Sequence, residues 1–102
     1  MSMVDVSKKP EIFREATAKG VIRLRKTTVK RVKEGKVEKG DVFTVAKIAG
    51  ISAAKKTSEL LPLCHPLPLT SVGVKVRIED DSTVEVEVAV KAKAQTGVEM
   101  EA

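Results

Sequence analysis

The sequence predicts an α+β fold in which an antiparallel sheet carries helices on one face. Residues 70–79 and 83–93 each alternate apolar and polar side chains, as half-buried strands do. Residues 41–61 instead place apolar side chains at helical spacing. With a strand and a short helix before them and a helix starting after them, these segments match the first two-thirds of a βαββαβ plait. We expect its last helix and strand to lie outside the given sequence.

The chain of 102 residues is long enough for a single domain, 1–102. Residues 1–10 are polar and end at Pro10, which predicts a flexible arm. The single cysteine permits no internal disulfide, and no segment has the pattern of a secretory leader or the length of an apolar membrane span. These features predict a cytoplasmic protein that does not enter a membrane.

The net charge of +5 predicts an acidic partner, either a polyanion or a phosphorylated small molecule. A well-solvated surface rich in Lys and Glu explains the same charge about equally well. Phe13 and Phe43 are the only aromatic residues, so stacking on nucleic-acid bases is nearly excluded. The charge still leaves one alternative to an enzyme, a non-catalytic basic module that binds the phosphates of nucleic acids.

The first strand is predicted within residues 11–25, where the pattern alternates and Val21, Ile22 and Leu24 favour extended chain. Gly20 in its middle suggests a turn or a bulge, so this segment is either two short strands or one bent strand. Residues 27–34 are predicted to form a short helix. Thr27 or Thr28 is its expected cap, and Gly35 follows its end.

The long helix is predicted to begin at Gly40-Asp41, a stop-and-cap pair, and to run until Pro62 ends it. Because apolar residues occupy most of its circumference, we expect it to be largely covered. Gly50 in its middle permits another backbone to approach closely.

The two following strands are predicted to form a hairpin around Asp81. Pairing Ile78 with Val84 puts the valine faces of both strands on one side and leaves residues 80–82 as the loop. It also places Arg77 opposite Glu85 and Lys75 opposite Glu87, and a slip by one residue would break both patterns.

The segment Leu60–Leu69 holds the only His, the only Cys and three of the four Pro residues. Proline restricts its own backbone and that of the preceding residue, so this connector is predicted to be extended and stiff. It presents Cys64 and His65 from a rigid support, which favours a functional role. A lone His or Cys is nevertheless more often structural, and one of each does not make a convincing metal site.

Two further stretches carry candidate chemistry. Lys39 stands just before a predicted helix N-terminus, where the dipole favours the neutral, basic form of its amine, although a solvated loop lysine is the commoner case. Glu99 and Glu101 share a face if the chain there is extended, and paired carboxylates transfer protons or hold Mg²⁺. Acids at the start of a helix are the ordinary alternative, since residues 95–102 look like a loop that feeds a helix.

Several blocks, in order, closely resemble the molybdenum-cofactor biosynthesis protein C family, whose members are cyclic pyranopterin monophosphate synthases. The resemblance extends from Met3 to Ala102. The blocks are Met3-Val4-Asp5-Val6-Ser7, Arg14-Glu15-Ala16, Lys39-Gly40-Asp41-Val42-Phe43, Ala46-Lys47-Ile48-Ala49-Gly50-Ile51, Leu61-Pro62-Leu63-Cys64-His65-Pro66-Leu67 and Thr96-Gly97-Val98-Glu99-Met100-Glu101-Ala102.

The resemblance implies a ferredoxin-like plait that assembles as dimers into a hexamer, with the substrate pocket at a subunit interface. It implies conversion of 3′,8-cyclo-7,8-dihydroguanosine 5′-triphosphate to cyclic pyranopterin monophosphate with release of pyrophosphate. No nucleic acid partner is expected. No resident cofactor or metal site is expected either, apart from Mg²⁺ accompanying the triphosphate.

Carried over by position, the resemblance assigns catalysis to Lys39 and His65. The substrate-binding residues that it implies are Arg14, Leu63, Cys64, His65, Glu99, Met100 and Glu101. In the family the chain continues into a long helix with a catalytic aspartate and another active-site lysine, and these have no counterpart in the given sequence.

Overall fold

The computed structural model describes residues 2–38 and 40–102, and among them three strands form one antiparallel sheet. The strands are β1 (Ile12–Arg23), β2 (Leu69–Asp80) and β3 (Thr83–Ala94), in the spatial order β1-β3-β2. Helices α1 (Lys26–Lys33), α2 (Val42–Lys55) and α3 (Thr57–Leu60) lie between β1 and β2 along the chain. This open sheet with its helices confirms the predicted α+β class and is consistent with part of a ferredoxin-like plait.

The predicted hairpin register is confirmed between Ser71 and Ile78, but the loop is shorter than the predicted 80–82, because Asp80 pairs with Thr83 after a register shift beyond Ile78. Ile78 pairs with Val84, and β2 and β3 are joined at residues 81–82, where Asp80 Oδ1 accepts a hydrogen bond from the Ser82 amide at 2.9 Å. Arg77 Nη2 donates to Glu85 at 2.9 Å and also to Glu87 at 3.1 Å. Lys75 is opposite Glu87 in register, but Arg77 is the cation that binds this carboxylate.

β1 is one uninterrupted strand. Gly20 pairs with Val86 in a ladder that runs from Ile12 to Arg23 without a register shift, so the predicted turn or bulge at Gly20 is wrong. A strand glycine need not mark a bulge where the neighbouring strand offers a continuous row of partners, and a Cβ at this position would meet nothing within 4 Å.

α1 begins one residue before the predicted segment. Its N-cap residue is Arg25, with no side-chain cap, so neither Thr27 nor Thr28 caps the helix as predicted. Burial of Val29, which is 1% exposed, fixes the helix in place instead. Gly35 follows the helix with φ +67°, a backbone region that glycine adopts without strain, as expected.

α2 is capped as predicted but ends earlier. The Asp41 carboxylate accepts from the Phe43 amide at 3.1 Å and from the Thr44 hydroxyl at 2.7 Å. The helix ends at Lys55 rather than at Pro62, and after one residue the short α3 follows. Thr57 Oγ1 donates to the Ala53 and Ala54 carbonyls, taking up acceptors near the end of the helix.

The expectation that α2 is largely covered is wrong for the described residues. Val45 is 55% exposed and Ile48 is 60% exposed, because α2 packs on β2 through one side only. Ala54 on that side joins a core with Val90, Ala92, Ala94 and Val98. None of the described helices is long and apolar enough to cross a bilayer.

Gly50 of α2 packs closely against Val74 of β2. A Cβ added there would lie 2.9 Å from Val74 Cγ2, so the stiff valine or the helix would have to move. We predict that Gly50→Ala destabilises the protein by about 1 kcal/mol, since overpacking costs about 1–3 kcal/mol and better helix propensity returns about 1. Urea unfolding measures the change.

Gly20→Ala is the matched control, because its Cβ would meet nothing within 4 Å. In a Val74→Ala background the penalty of Gly50→Ala should disappear. An equal penalty in both backgrounds would show that Val74 is not the group that limits the approach.

Candidate active site

Three segments that are distant in the sequence emerge at the same end of the sheet. Ile12 at the start of β1 pairs with Ala94 at the end of β3, and Leu69 at the start of β2 pairs with Ala92. Antiparallel pairing therefore gathers the arm before β1, the connector before β2 and the segment after β3. These segments carry most of the residues that the sequence singled out.

The segment after β3 is held by Arg14 and by its own first turn. Arg14 Nε donates to the Ala94 carbonyl at 3.1 Å, and Nη2 donates to the Gln95 carbonyl at 3.4 Å. Val98 is buried, and its carbonyl accepts from the Ala102 amide at 3.1 Å. This i to i+4 hydrogen bond is consistent with the predicted start of a helix.

The connector meets this segment through Cys64 and Glu101. The Cys64 amide donates to the Leu61 carbonyl at 2.9 Å, so residues 61–64 form a turn and this part of the connector is not extended as predicted. Cys64 Sγ lies 3.4 Å from Glu101 Oε2 and donates a hydrogen bond to it. The structure thus brings together two of the stretches that the sequence predicted to be functional.

Glu101 is an unusual residue for its position. It is only 6% exposed, and its Oε1 has no hydrogen-bond partner among the described residues. A buried, unsatisfied carboxylate oxygen costs stability, and such groups in native proteins are often explained by function. We take Glu101 as the centre of the candidate site.

The pKa of the Cys64 thiol is raised to about 11. The largest cause is burial, followed by the hydrogen bond to Glu101 and by the charges of Glu101 and Glu99. The thiol therefore stays protonated at neutral pH. It acts as a hydrogen-bond donor there and is a poor nucleophile, because the thiolate is the reactive form.

His65 is half-buried and contacts the N-terminal arm. Its Nε2 is hydrogen-bonded to the Val4 carbonyl, which can only accept, so Nε2 carries a proton. The nearby Asp5 has a lowered pKa, mainly because the Ser7 backbone amide donates to it, with a smaller contribution from His65. Because the ring is half-buried and contacts the arm, the imidazole lies at the edge of the structure and not in an apolar interior.

The N-terminal arm contacts the site, although its sequence pattern predicted no site role for it. Gln95 Nε2 donates to the Ser7 carbonyl at 3.5 Å, which ties the arm to the segment after β3. The signal in the sequence was Asp5-x-Ser7, since an aspartate that accepts from the amide two residues later forms an Asx turn.

A cavity of about 350 Å³ lies between the C-terminal half of α2, α3 and the segment after β3. Thr57 and Glu101 are the polar residues in its lining, and the Thr57 hydroxyl is already bonded to helix carbonyls. Glu101 is thus the ionisable group of an otherwise apolar cavity. The lining comprises Gly50, Ala53, Ala54, Thr57, Leu60, Leu61, Val88, Met100, Glu101 and Ala102.

The remaining predicted residues of these two segments lie at the exposed rim. Leu63, Glu99 and Met100 are all exposed. The Glu99 carboxylate folds back against Gly97, and a Cβ at position 97 would overlap it. The absence of a side chain at Gly97 therefore permits this position of the carboxylate.

Lys39 lies outside the described residues. Asp41, nearby in the chain, caps the end of α2 that is remote from the cavity, whereas Ala53 and Ala54 line it. A helix of 14 residues is about 21 Å long, so the two ends of α2 are well separated. No three of the described His, Cys, Asp and Glu residues are grouped so that they could hold a metal ion.

A model of the MoaC family matches residues 3–102. The chain is 52% identical, over 102 residues, to a probable cyclic pyranopterin monophosphate synthase of Pyrococcus abyssi. The matched region covers 100% of this chain and 64% of that relative. It is 57% identical to a protein of the same name from Saccharolobus solfataricus, over 98% of this chain and 66% of the relative.

A cyclic pyranopterin monophosphate synthase of Thermomicrobium roseum is 56% identical over 101 residues, covering 98% of this chain and 61% of the relative. The chain therefore spans less than two thirds of the length of these curated relatives.

The raised pKa of Cys64 gives a test of its contact with Glu101. We predict that alkylation of the thiol by iodoacetamide is slow at neutral pH and rises with a midpoint near pH 11. Glu101→Gln removes a negative charge that favours the protonated thiol, so its midpoint should fall toward the value of the unfolded chain. An unchanged midpoint in Glu101→Gln would contradict the contact.

Arg14 gives a second test. We predict that Arg14→Ala loosens the segment after β3, because two carbonyls lose their guanidinium donor, and that the Ala102 amide exchanges its hydrogen about 5- to 30-fold faster. Arg23→Ala, at the other end of β1 and opposite Thr83, is the control and should leave this amide unchanged. Equal exchange rates in both variants would exclude an anchoring role for Arg14.

Proposed function

Because the chain belongs to the MoaC family, we propose that the protein is a cyclic pyranopterin monophosphate synthase of molybdenum cofactor biosynthesis. Its substrate is 3′,8-cyclo-7,8-dihydroguanosine 5′-triphosphate, and its products are cyclic pyranopterin monophosphate and pyrophosphate. The observation that carries this proposal is the contact between Cys64 and Glu101, which joins the connector to the segment after β3 beside a cavity.

The substrate-binding residues of this proposal come from the connector and from the segment after β3. Leu63, Cys64 and His65 line the substrate pocket on one side, and Glu99, Met100 and Glu101 line it on the other. The exposed rim positions of Leu63, Glu99 and Met100 support contact with a ligand larger than the cavity itself.

Catalysis in this proposal consists of successive proton transfers while the purine ring opens and a cyclic phosphate closes. In its neutral form His65 offers Nδ1 as an acceptor, since Nε2 is engaged by the Val4 carbonyl. Lys39 shuttles protons as the second acid–base group. Arg14 keeps its positive charge fixed against two carbonyls and helps to neutralise the departing pyrophosphate.

We also propose that the protein acts as a homo-oligomer, a dimer that builds a hexamer, with the site completed by a second subunit. The exposed side chains of Val45 and Ile48 support burial against another copy. The length of α2 supports the same arrangement, because one subunit holds the Asp41 end of this helix away from its own cavity. We place the protein in the cytoplasm, where nucleotide precursors are available.

The alternative, a basic module that binds nucleic-acid phosphates, has one observation in its favour. The cations of α1, Lys26, Lys30, Arg31 and Lys33, are all exposed. Binding to an arbitrary DNA duplex that weakens steeply with salt would favour this alternative.

The proposed function is tested by incubating the complete protein with the cyclised guanosine triphosphate derivative. We expect cyclic pyranopterin monophosphate and pyrophosphate in equal amounts, measured by mass spectrometry and a pyrophosphate assay. GTP, which lacks the additional ring, is the control and should not be converted. Absence of both products with the cyclised substrate would overturn the proposal.

We predict that Lys39→Ala lowers kcat by about 10²–10⁴-fold, the usual contribution of a general acid or base. Lys36→Ala is the matched control, because Lys36 is exposed and paired with Glu34 at 3.2 Å, and it should stay within twofold of wild type. Thermal unfolding of both variants checks that the fold persists. Unchanged turnover in Lys39→Ala would remove this lysine from the mechanism.

A further inference from the structure

The Cys64 thiol is the hydrogen-bond partner of Glu101 among the described residues. Glu101 Oε2 accepts from Sγ at 3.4 Å, while Oε1 accepts from none of them. We propose that Cys64 is a positioning residue, whose thiol holds the Glu101 carboxylate by one oxygen so that the other is left for a hydrogen-bond donor of the substrate. This inference rests on the proposed function.

The burial of Glu101 makes the thiol important. At 6% exposure the carboxylate receives little help from water, so each oxygen needs a donor from the protein or from a ligand. Without the thiol both oxygens would lack a partner among the described residues, and the side chain would rotate toward solvent. The thiol therefore fixes one of several rotamers of a side chain with three rotatable bonds.

No polar side chain of the described cavity lining bonds the free oxygen of Glu101, which is itself buried. The other polar side chain of the cavity, Thr57, directs its hydroxyl to the Ala53 and Ala54 carbonyls at 2.9 and 3.0 Å. The rest of the lining is apolar. A ligand with a flat, weakly polar body and an N–H or O–H at its edge matches this combination, and the ring system of the proposed substrate is of that kind.

A nucleophilic role for Cys64 is the competing interpretation, and the structure argues against it. The pKa of the thiol is raised to about 11, first by burial and then by Glu101, so little thiolate exists at neutral pH. A hydroxyl also donates a hydrogen bond but does not replace a thiolate nucleophile at neutral pH. The two roles therefore predict opposite results for Cys64→Ser.

The experiment measures kcat and KM of the complete protein for Cys64→Ala, Cys64→Ser and Glu101→Ala. Cys64→Ala should raise KM about tenfold with a smaller change in kcat, and Cys64→Ser should restore KM to within about threefold of wild type. Cys64→Ala added to Glu101→Ala should have no further effect, because the thiol acts through that carboxylate.

Three results would overturn the inference: wild-type kinetics in Cys64→Ala, equal impairment in Cys64→Ser and Cys64→Ala, or additive losses with Glu101→Ala. The infrared S–H stretch provides a readout that does not depend on activity. It should lie lower in wild type than in Glu101→Ala, because a hydrogen-bonded S–H bond is weakened.

If the wild-type protein turns over no substrate, the proposed function fails. The infrared comparison then decides separately whether the thiol holds Glu101, and equal stretching frequencies would reject the positioning role.

Discussion

The pairing of β3 with both of its neighbours is the constraint on which the rest of the structure depends. β3 is antiparallel to β1 on one side and to β2 on the other, and the β1 ladder runs unbroken from Ile12 to Arg23. Both ladders fix which residues face the helices, and Val90, Ala92 and Ala94 become the centre of the core. The same pairing brings the arm, the connector and the final segment to one end of the sheet, so the site follows from the topology.

At that end of the sheet, stability and function favour different arrangements. The core is made of small side chains, and a buried carboxylate with an unpartnered oxygen adjoins it. A protein selected for stability alone would place an apolar residue at position 101. Proteins tend to break such rules at functional sites, and here the violation coincides with residues that match the family motif. The neighbouring thiol lowers the free-energy cost of burying this carboxylate, since it gives one of the two oxygens a hydrogen-bond donor.

Much of the fold was predictable because local patterns and long-range contacts agree. The hairpin register followed from two valine faces and from the charges of Arg77 and Glu85, and the Asp41 cap followed from its side chain. The predictions that were wrong concern tertiary context. A continuous partner strand overrides Gly20, burial of Val29 replaces a capping hydroxyl in α1, and the coverage of α2 depends on what packs against it.

For the site, the match to the MoaC family confirms the resemblance that singled out the connector and the residues around Glu101, while their roles stay predictions. The contact between them could not be predicted, because Cys64 and Glu101 are 37 positions apart and only the sheet brings them together. The placement of the arm beside His65 was also missed, since its hydrogen bonds use backbone carbonyls that any sequence supplies.

The chain order of the three strands also has a consequence for how the molecule folds. β2 and β3 are joined by two residues, so their pairing closes a short loop and we expect it to form early. β1 reaches β3 only across most of the chain, as the contact between Arg14 and Ala94 over 80 positions illustrates. Chain entropy opposes this closure until the helices that separate β1 from β2 have condensed, so we expect docking of β1 to be the slow, late event. Until then one edge of β3 is open, and a second unfolded molecule can occupy it in place of β1.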